Sequence, residues 1–228
     1  MDLKARLADV DARIVDAARS AGRDPGEITR VVVTKFHPAS LVRELYHLGV
    51  RDVGENRQQE LTAKRAELAD LPHLRWHFVG QAQTNKARAI REAAAVVHSV
   101  DRARLADALE AAGQSVEGVL DVLLQVNLTD DAGRGGTSPD DVPRLAEHIA
   151  GSCPTLRVRG VMGVAPLDEP AADAFARLAA ARDQVRAVVP DAGWMSAGMT
   201  GDFSEAIAAG ATHLRIGSAI TGPRPVHG

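Results

Sequence analysis

Three consecutive valines running into a threonine and a lysine, Val31-Val32-Val33-Thr34-Lys35, constrain this fold more than any other stretch. An unbroken β-branched run this short fits a strand covered on both faces, which is the habit of parallel sheets flanked by helices. Side chains alternate along a strand, so Val31, Val33 and Lys35 share one face and Val32 and Thr34 the other. An ammonium therefore shares a face with two valines at the C-terminal edge of the strand. Of 27 basic residues only Lys4, Lys35, Lys64 and Lys86 are lysine. Arginine cannot give up its proton, whereas a desolvated lysine can. Lys35 is thus a candidate neutral amine. The other reading is a lysine whose stem lies along the strand end with its charge in water.

The same unit recurs along the chain. A helix with Leu3, Leu7, Val10, Ile14 and Ala17 on one side comes first and ends near Gly22. The strand at 30–35 follows, then a helical stripe of Leu41, Val42, Leu45 and Leu48 closed by Gly49. Further strands are expected at 50–53, 76–79, 96–99, 120–127, 158–164, 194–196 and 214–217, each followed by a helical segment. Ser138, Pro139, Asp140 and Asp141 form a helix start after the loop TDDAGRGG. Eight strand–helix units with no linker predict one domain over residues 1–228, a (β/α)8 barrel with an extra N-terminal helix. A doubly wound open sheet is the alternative, but no dinucleotide glycine fingerprint follows the first strand.

Composition narrows the function classes. A net charge of −3 offers no general attraction to nucleic acid or to anionic membrane. Mean hydropathy is −0.11 and no apolar run is long enough to span a bilayer. The acidic residues scattered through the first twenty positions do not fit a signal peptide, and the single cysteine, Cys153, allows no internal disulfide; both fit a reducing cytoplasm. No extended apolar stripe asks for a second subunit, so a monomer is expected. Nothing in the cysteine and histidine spacing predicts a metal site.

In a barrel of this kind the chemistry collects where the strands end. Those ends read Lys35, Gly54-Glu55-Asn56, Gly80, Ser99, Asn127, Gly163, Ser196 and Gly217-Ser218. After the seventh strand comes Ser196-Ala197-Gly198-Met199-Thr200-Gly201, and after the eighth Gly217-Ser218-Ala219-Ile220. Glycines let backbone N–H groups approach an anion, and the hydroxyls of Ser196, Thr200 and Ser218 can add donors. Two tight turns that need glycine for geometry alone would read the same way. Arg215 sits between Leu214 and Ile216 and needs a partner, for which Asp202 or Glu55 would serve. His77, between Trp76 and Phe78, reads first as a hydrogen-bonded core histidine. An amine, an anion cradle and an interior arginine together suggest pyridoxal 5'-phosphate as cofactor.

VVVTK, GENRQQE, WHFVGQAQTNKAR, HSVD, RGVMGVAP and GMTGDFSEAIAAGATHLRIGSAITGPR together resemble the pyridoxal phosphate homeostasis proteins, the YggS/PROSC (PLPBP) family. That family is similar to the N-terminal barrel of bacterial alanine racemase without its second domain. The resemblance implies that Lys35 holds the cofactor as an internal aldimine. It implies that Ser196, Gly198, Thr200, Gly217 and Ser218 surround the phosphate, that Arg215 faces the pyridine nitrogen, and that Asn56 and His77 lie near the ring. Arg57 stands where the family usually has tyrosine, Gln81-Ala82 replaces a Pro-Leu-like pair, and Ala197 replaces a bulkier residue. Arg134 takes the place of a common lysine and cannot relay an aldehyde.

The expected function is binding and buffering of the cofactor in vitamin B6 homeostasis, with apoenzymes as transient recipients and no catalytic residue. A weak amino-acid racemase or lyase is the first alternative. The second is a barrel enzyme on a phosphorylated metabolite, with Lys35 as base or Schiff-base former.

Overall fold

A computed structural model describes every residue except Glu117, Asp130, Ala132 and 226–228. Part of the loop TDDAGRGG therefore falls outside the described residues. Helix α1 (Leu3–Ser20) starts on Asp2, whose carboxylate accepts a hydrogen bond from the Ala5 N–H at 2.7 Å, a normal N-cap. Eight strands follow: β1 (Thr29–Val33), β2 (Asp52–Glu55), β3 (Arg75–Phe78), β4 (Val96–Val100), β5 (Leu120–Gln125), β6 (Leu156–Met162), β7 (Trp194–Ser196) and β8 (His213–Ile216). Each pairs in parallel with the next, and β8 pairs with β1 to close the barrel. The (β/α)8 architecture read from the alternation is the one observed.

Helices α2 (Ala39–His47), α3 (Gln58–Glu67), α4 (Ala87–Ala93), α5 (Ala103–Gly113), α6 (Val142–Ser152), α7 (Ala171–Val188), α8 (Phe203–Ala208) and α9 (Ser218–Thr221) follow the strands in turn. A single apolar layer between strands and helices contains Val32, Val42, Leu45, Val53, Leu61, Phe78, Val97, Leu109, Leu124, Ile149, Val161, Phe175, Leu178 and Ile216, all nearly or fully buried. Burial of that layer is the main favourable term in the fold. The Arg6 guanidinium donates to the Ile220 carbonyl at 2.7 Å and ties α1 to α9 beside the last strand.

Two boundaries differ from the sequence reading. The second strand runs over 52–55 instead of 50–53, because Val50 closes the turn after α2, its N–H donating to the Leu45 carbonyl at 3.0 Å. Gly54 and Glu55 thus belong to the strand. The start of α6 is also compound: Ser138 caps a short 3-10 turn at Pro139–Asp141, and the α-helix begins at Val142.

The larger difference lies inside the barrel. Apolar strand bodies were expected, yet the inner apolar cluster is only Val96, Leu123 and Met162, with Trp194 against it. Beside it stand three histidines. The rings of His77 and His98 lie 5.1 Å apart, and His213 is 6.3 Å from each and 4.3 Å from Trp194. His77 bonds the Asp52 carboxylate through Nε2 and His98 through Nδ1, each at 2.9 Å. Alternation hides this arrangement, since one polar residue per strand leaves the run looking apolar.

Burial holds all three imidazoles in the neutral form. It lowers the pKa of His77 against the pull of Asp52, lowers that of His98 further with its neighbours' help, and pushes His213 down to about 3. The unfolded chain takes up protons on these groups below about pH 6.5, whereas the folded chain does not. Stability is therefore full above that pH and falls as acid is added. Urea unfolding measured from pH 7 to pH 5 should show a loss approaching ~4 kcal/mol per pH unit near pH 5, the equivalent of three protons. His213→Gln should reduce that slope by about a third. A second expectation concerns Gly160, whose φ is +149° and whose added Cβ would lie 1.8 Å from the Trp194 carbonyl oxygen. Gly160→Ala should cost at least ~3 kcal/mol in the same assay.

Candidate cofactor site

The ends of β7, β8, β1 and β2 are consecutive around the barrel, so the turns that follow them form one arc of its mouth. Val32 pairs with Ile216, which sets Gly217 against Val33 and two residues from Lys35 in register. Lys35 stands in the turn just past β1, half buried. Among the described residues its Nζ makes no hydrogen bond or ion pair, and its nearest ring is Phe36, with the centroid 5.7 Å away.

The backbone at Lys35 is held tightly from both sides. Phe36 adopts φ +69°, a left-handed conformation that costs a bulky residue roughly 1–3 kcal/mol. Its N–H donates to Glu60 Oε2 at 2.8 Å. On the other side, the Lys64 ammonium donates to the Thr34 carbonyl at 2.8 Å and to Glu55 Oε1 at 2.6 Å. The Thr34 hydroxyl donates to the same Glu55 oxygen at 2.6 Å. Glu55 is wholly buried on the outer face of the sheet, and burial pushes its carboxyl up despite these partners. Sequence reading left these roles of Thr34, Glu60 and Lys64 unassigned. The available signal was the spacing of Glu60 and Lys64, which puts both on one helical face.

The turn after β7 depends on Gly198, which has φ +88° and would carry a Cβ 2.8 Å from that of Ala206. Its carbonyl accepts from the Arg215 N–H at 2.9 Å, so strand β8 fixes the turn. Thr200 lies half buried at the far side of this turn. The Met199 N–H donates to the Asp202 carboxylate at 2.6 Å and is already engaged. After β8, Gly217 and the exposed Ser218 lead into α9, where among the described residues the Ser218 and Ala219 N–H groups meet no backbone or side-chain acceptor. Asn56 follows β2, half buried.

Arg215 is the interior cation the sequence pointed to, but its partners are not the expected carboxylates. Its guanidinium donates to Ser196 Oγ at 2.7 Å and to the Gly163 carbonyl at 2.9 Å. Glu55 is instead paired with Lys64, and Asp202 acts on Arg215 only at longer range. Burial pushes the Arg215 pKa down to about 10, so the group stays charged at neutral pH. Ser196 Oγ also bonds His98 Nδ1 at 2.9 Å. His77 therefore joins the site through His98 and Ser196, with both of its own nitrogens engaged. Arg134 and Asn127 line a separate cavity of about 860 Å³ with Leu167 and Glu169, beside the mouth and beyond β5.

The residues present fit pyridoxal phosphate. A half-buried amine lacks a partner, glycine turns with free N–H groups and hydroxyls stand on the neighbouring strands, and a charged donor lies below them. The model of the alanine racemase N-terminal domain family matches residues 12–225. The pyridoxal phosphate homeostasis protein of Pseudomonas aeruginosa is 45% identical over 221 residues, covering 96% of this chain and 94% of its own length. The structure of PipY from Synechococcus elongatus with pyridoxal phosphate bound is 34% identical with a TM-score of 0.84, covering 97% of this chain and 100% of that one. Alanine racemase from Corynebacterium glutamicum, 15% identical with a TM-score of 0.67, shares the fold over 96% of this chain and 62% of its own. With a family model matched over nearly its whole length and a relative at 45% identity, the chain belongs to the alanine racemase N-terminal domain family and, within it, to the pyridoxal phosphate homeostasis proteins.

Proposed function

We propose that this protein binds pyridoxal 5'-phosphate covalently through Lys35 and takes part in vitamin B6 homeostasis as a carrier or buffer. The observation that carries the reading is the Lys35 amine, left without a partner at a mouth whose adjoining turns offer unengaged N–H groups. When bound, the cofactor supplies an aldehyde carbon that joins Nζ with loss of one water, and a ring able to withdraw electrons. Gly198, Thr200, Gly217 and Ser218 would hold the phosphate with backbone and hydroxyl donors, and Ser196 would act from beneath them. Arg215 would meet the ring nitrogen, with Asn56 beside the ring and His77 behind it.

The chain's own residues favour storage over turnover. Arg215 keeps its proton, and a cation at the ring nitrogen opposes protonation there, which weakens electron withdrawal. A two-base racemase needs a second acid or base across the substrate. Tyr46, the single tyrosine, donates its hydroxyl to the Pro72 carbonyl at 3.0 Å and lies under the Arg51 guanidinium, near the start of β2. Among the described residues no helix is long and apolar enough to cross a membrane. A monomer acting in the cytoplasm and passing the cofactor to apoenzymes is the accompanying proposal.

The purified protein should absorb in the visible range and keep a borohydride-fixed adduct on the peptide that contains Lys35. Lys35→Ala should lose both while retaining weaker, non-covalent affinity. A fixed adduct on another lysine, or a colourless protein that does not take up added cofactor, would overturn the assignment. Exchange of amino-acid α-protons in deuterated water at ~1 per second or faster would replace the carrier by an enzyme. Ser218→Ala should weaken retention by ~1 kcal/mol, the contribution of one hydrogen bond; equilibrium dialysis measures it.

A further inference from the structure

Glu60 and Lys64 lie one turn apart on α3 and grip the two peptide units that flank Lys35. Glu60 takes the Phe36 N–H at 2.8 Å, Lys64 holds the Thr34 carbonyl at 2.8 Å, and the two side chains approach to 3.7 Å. Lys64 is 8% exposed and its partner Glu55 is fully buried. Burying an ion pair is expensive, and an apolar pair of similar volume often serves stability as well. Among the described residues Glu55 Oε2 has no partner, so the arrangement is not optimised for stability. What it does secure is one backbone geometry, with Phe36 held at φ +69° directly after the lysine. Strain kept in place by the surrounding structure is a common feature of functional sites.

We infer that Glu60 and Lys64 are positioning residues. They fix the Lys35 backbone so that its amine is aimed across the mouth toward the turns after β7 and β8, and they set the rate at which the amine captures an aldehyde. The inference rests on the reading that Lys35 carries pyridoxal phosphate. The side chains act through the two peptide units and need no contact with the cofactor.

The test uses the full-length protein freed of cofactor with hydroxylamine. Two readouts are followed: amide hydrogen exchange at Phe36 without cofactor, and the rate at which visible absorbance grows when pyridoxal phosphate is added. Glu60→Ala should raise exchange at Phe36 and slow capture on the order of 10-fold or more, since small misplacements of a reacting group carry costs of that size. Glu60→Gln, whose amide oxygen can still accept from Phe36, should restore both. Lys64→Met is made together with Glu55→Leu, so that no buried carboxylate is left unpaired, and should also slow capture. That pair carries the comparison if Glu60→Ala does not fold. A lowered melting temperature with unchanged capture in these variants would make the clamp merely structural and overturn the inference. A wild-type protein that captures nothing would instead overturn the assignment of Lys35.

Discussion

The parallel pairing of the first strand with the last is the contact on which the site depends. Thr29 to Val32 meet His213 to Ile216 in register, and this ladder joins two ends of the chain separated by more than 180 residues. It brings the Lys35 turn beside the turn at Gly217, and β7 adds Gly198 next to it. Non-local pairing of this kind carries a large loop-closure cost and relies on a buried layer to offset it. The helices supply that layer on the outside of the sheet. The inside is then free of the main stabilising role and can hold polar groups.

Those groups form a continuous chain. Asp52, His77, His98, Ser196 and Arg215 follow one another by hydrogen bonds of 2.7 to 2.9 Å, running from the start of β2 to the donor beneath the mouth. In a low-dielectric interior such a series is worth having only when its members are satisfied. Here it keeps a guanidinium charged and fixed without a carboxylate against it. A salt-bridged arginine would offer less of its charge to a ligand, which gives the Ser196 and Gly163 partners a functional logic.

Much of this architecture can be read from the residues. Val31-Val32-Val33, the glycines after the helices and the polar strand ends were enough for the barrel, because the apolar layer obeys a simple period. Lys35, Gly198, Gly217 and Arg215 stood out as residue types at odds with their surroundings. What could not be read were contacts set by three-dimensional register. His98 and Ser196 lie 98 residues apart, and no local pattern joins them. The partner of Arg215 was misjudged for the same reason: a carbonyl, Gly163, is invisible to an argument from side-chain charge. Glu60 and Lys64 read as an ordinary solvent-facing pair until α3 is packed over the end of β1.

The chained hydrogen bonds also bear on how sequences of this kind can drift. Ser196 serves both His98 and Arg215, so losing its hydroxyl strands two buried groups at once, and a change at either neighbour alters what is acceptable at position 196. Substitutions at these positions should be strongly epistatic, each tolerated only on the background of another. Divergence at 52, 77, 98, 196 and 215 would then proceed in concerted sets, while the outer apolar layer accumulates exchanges one at a time.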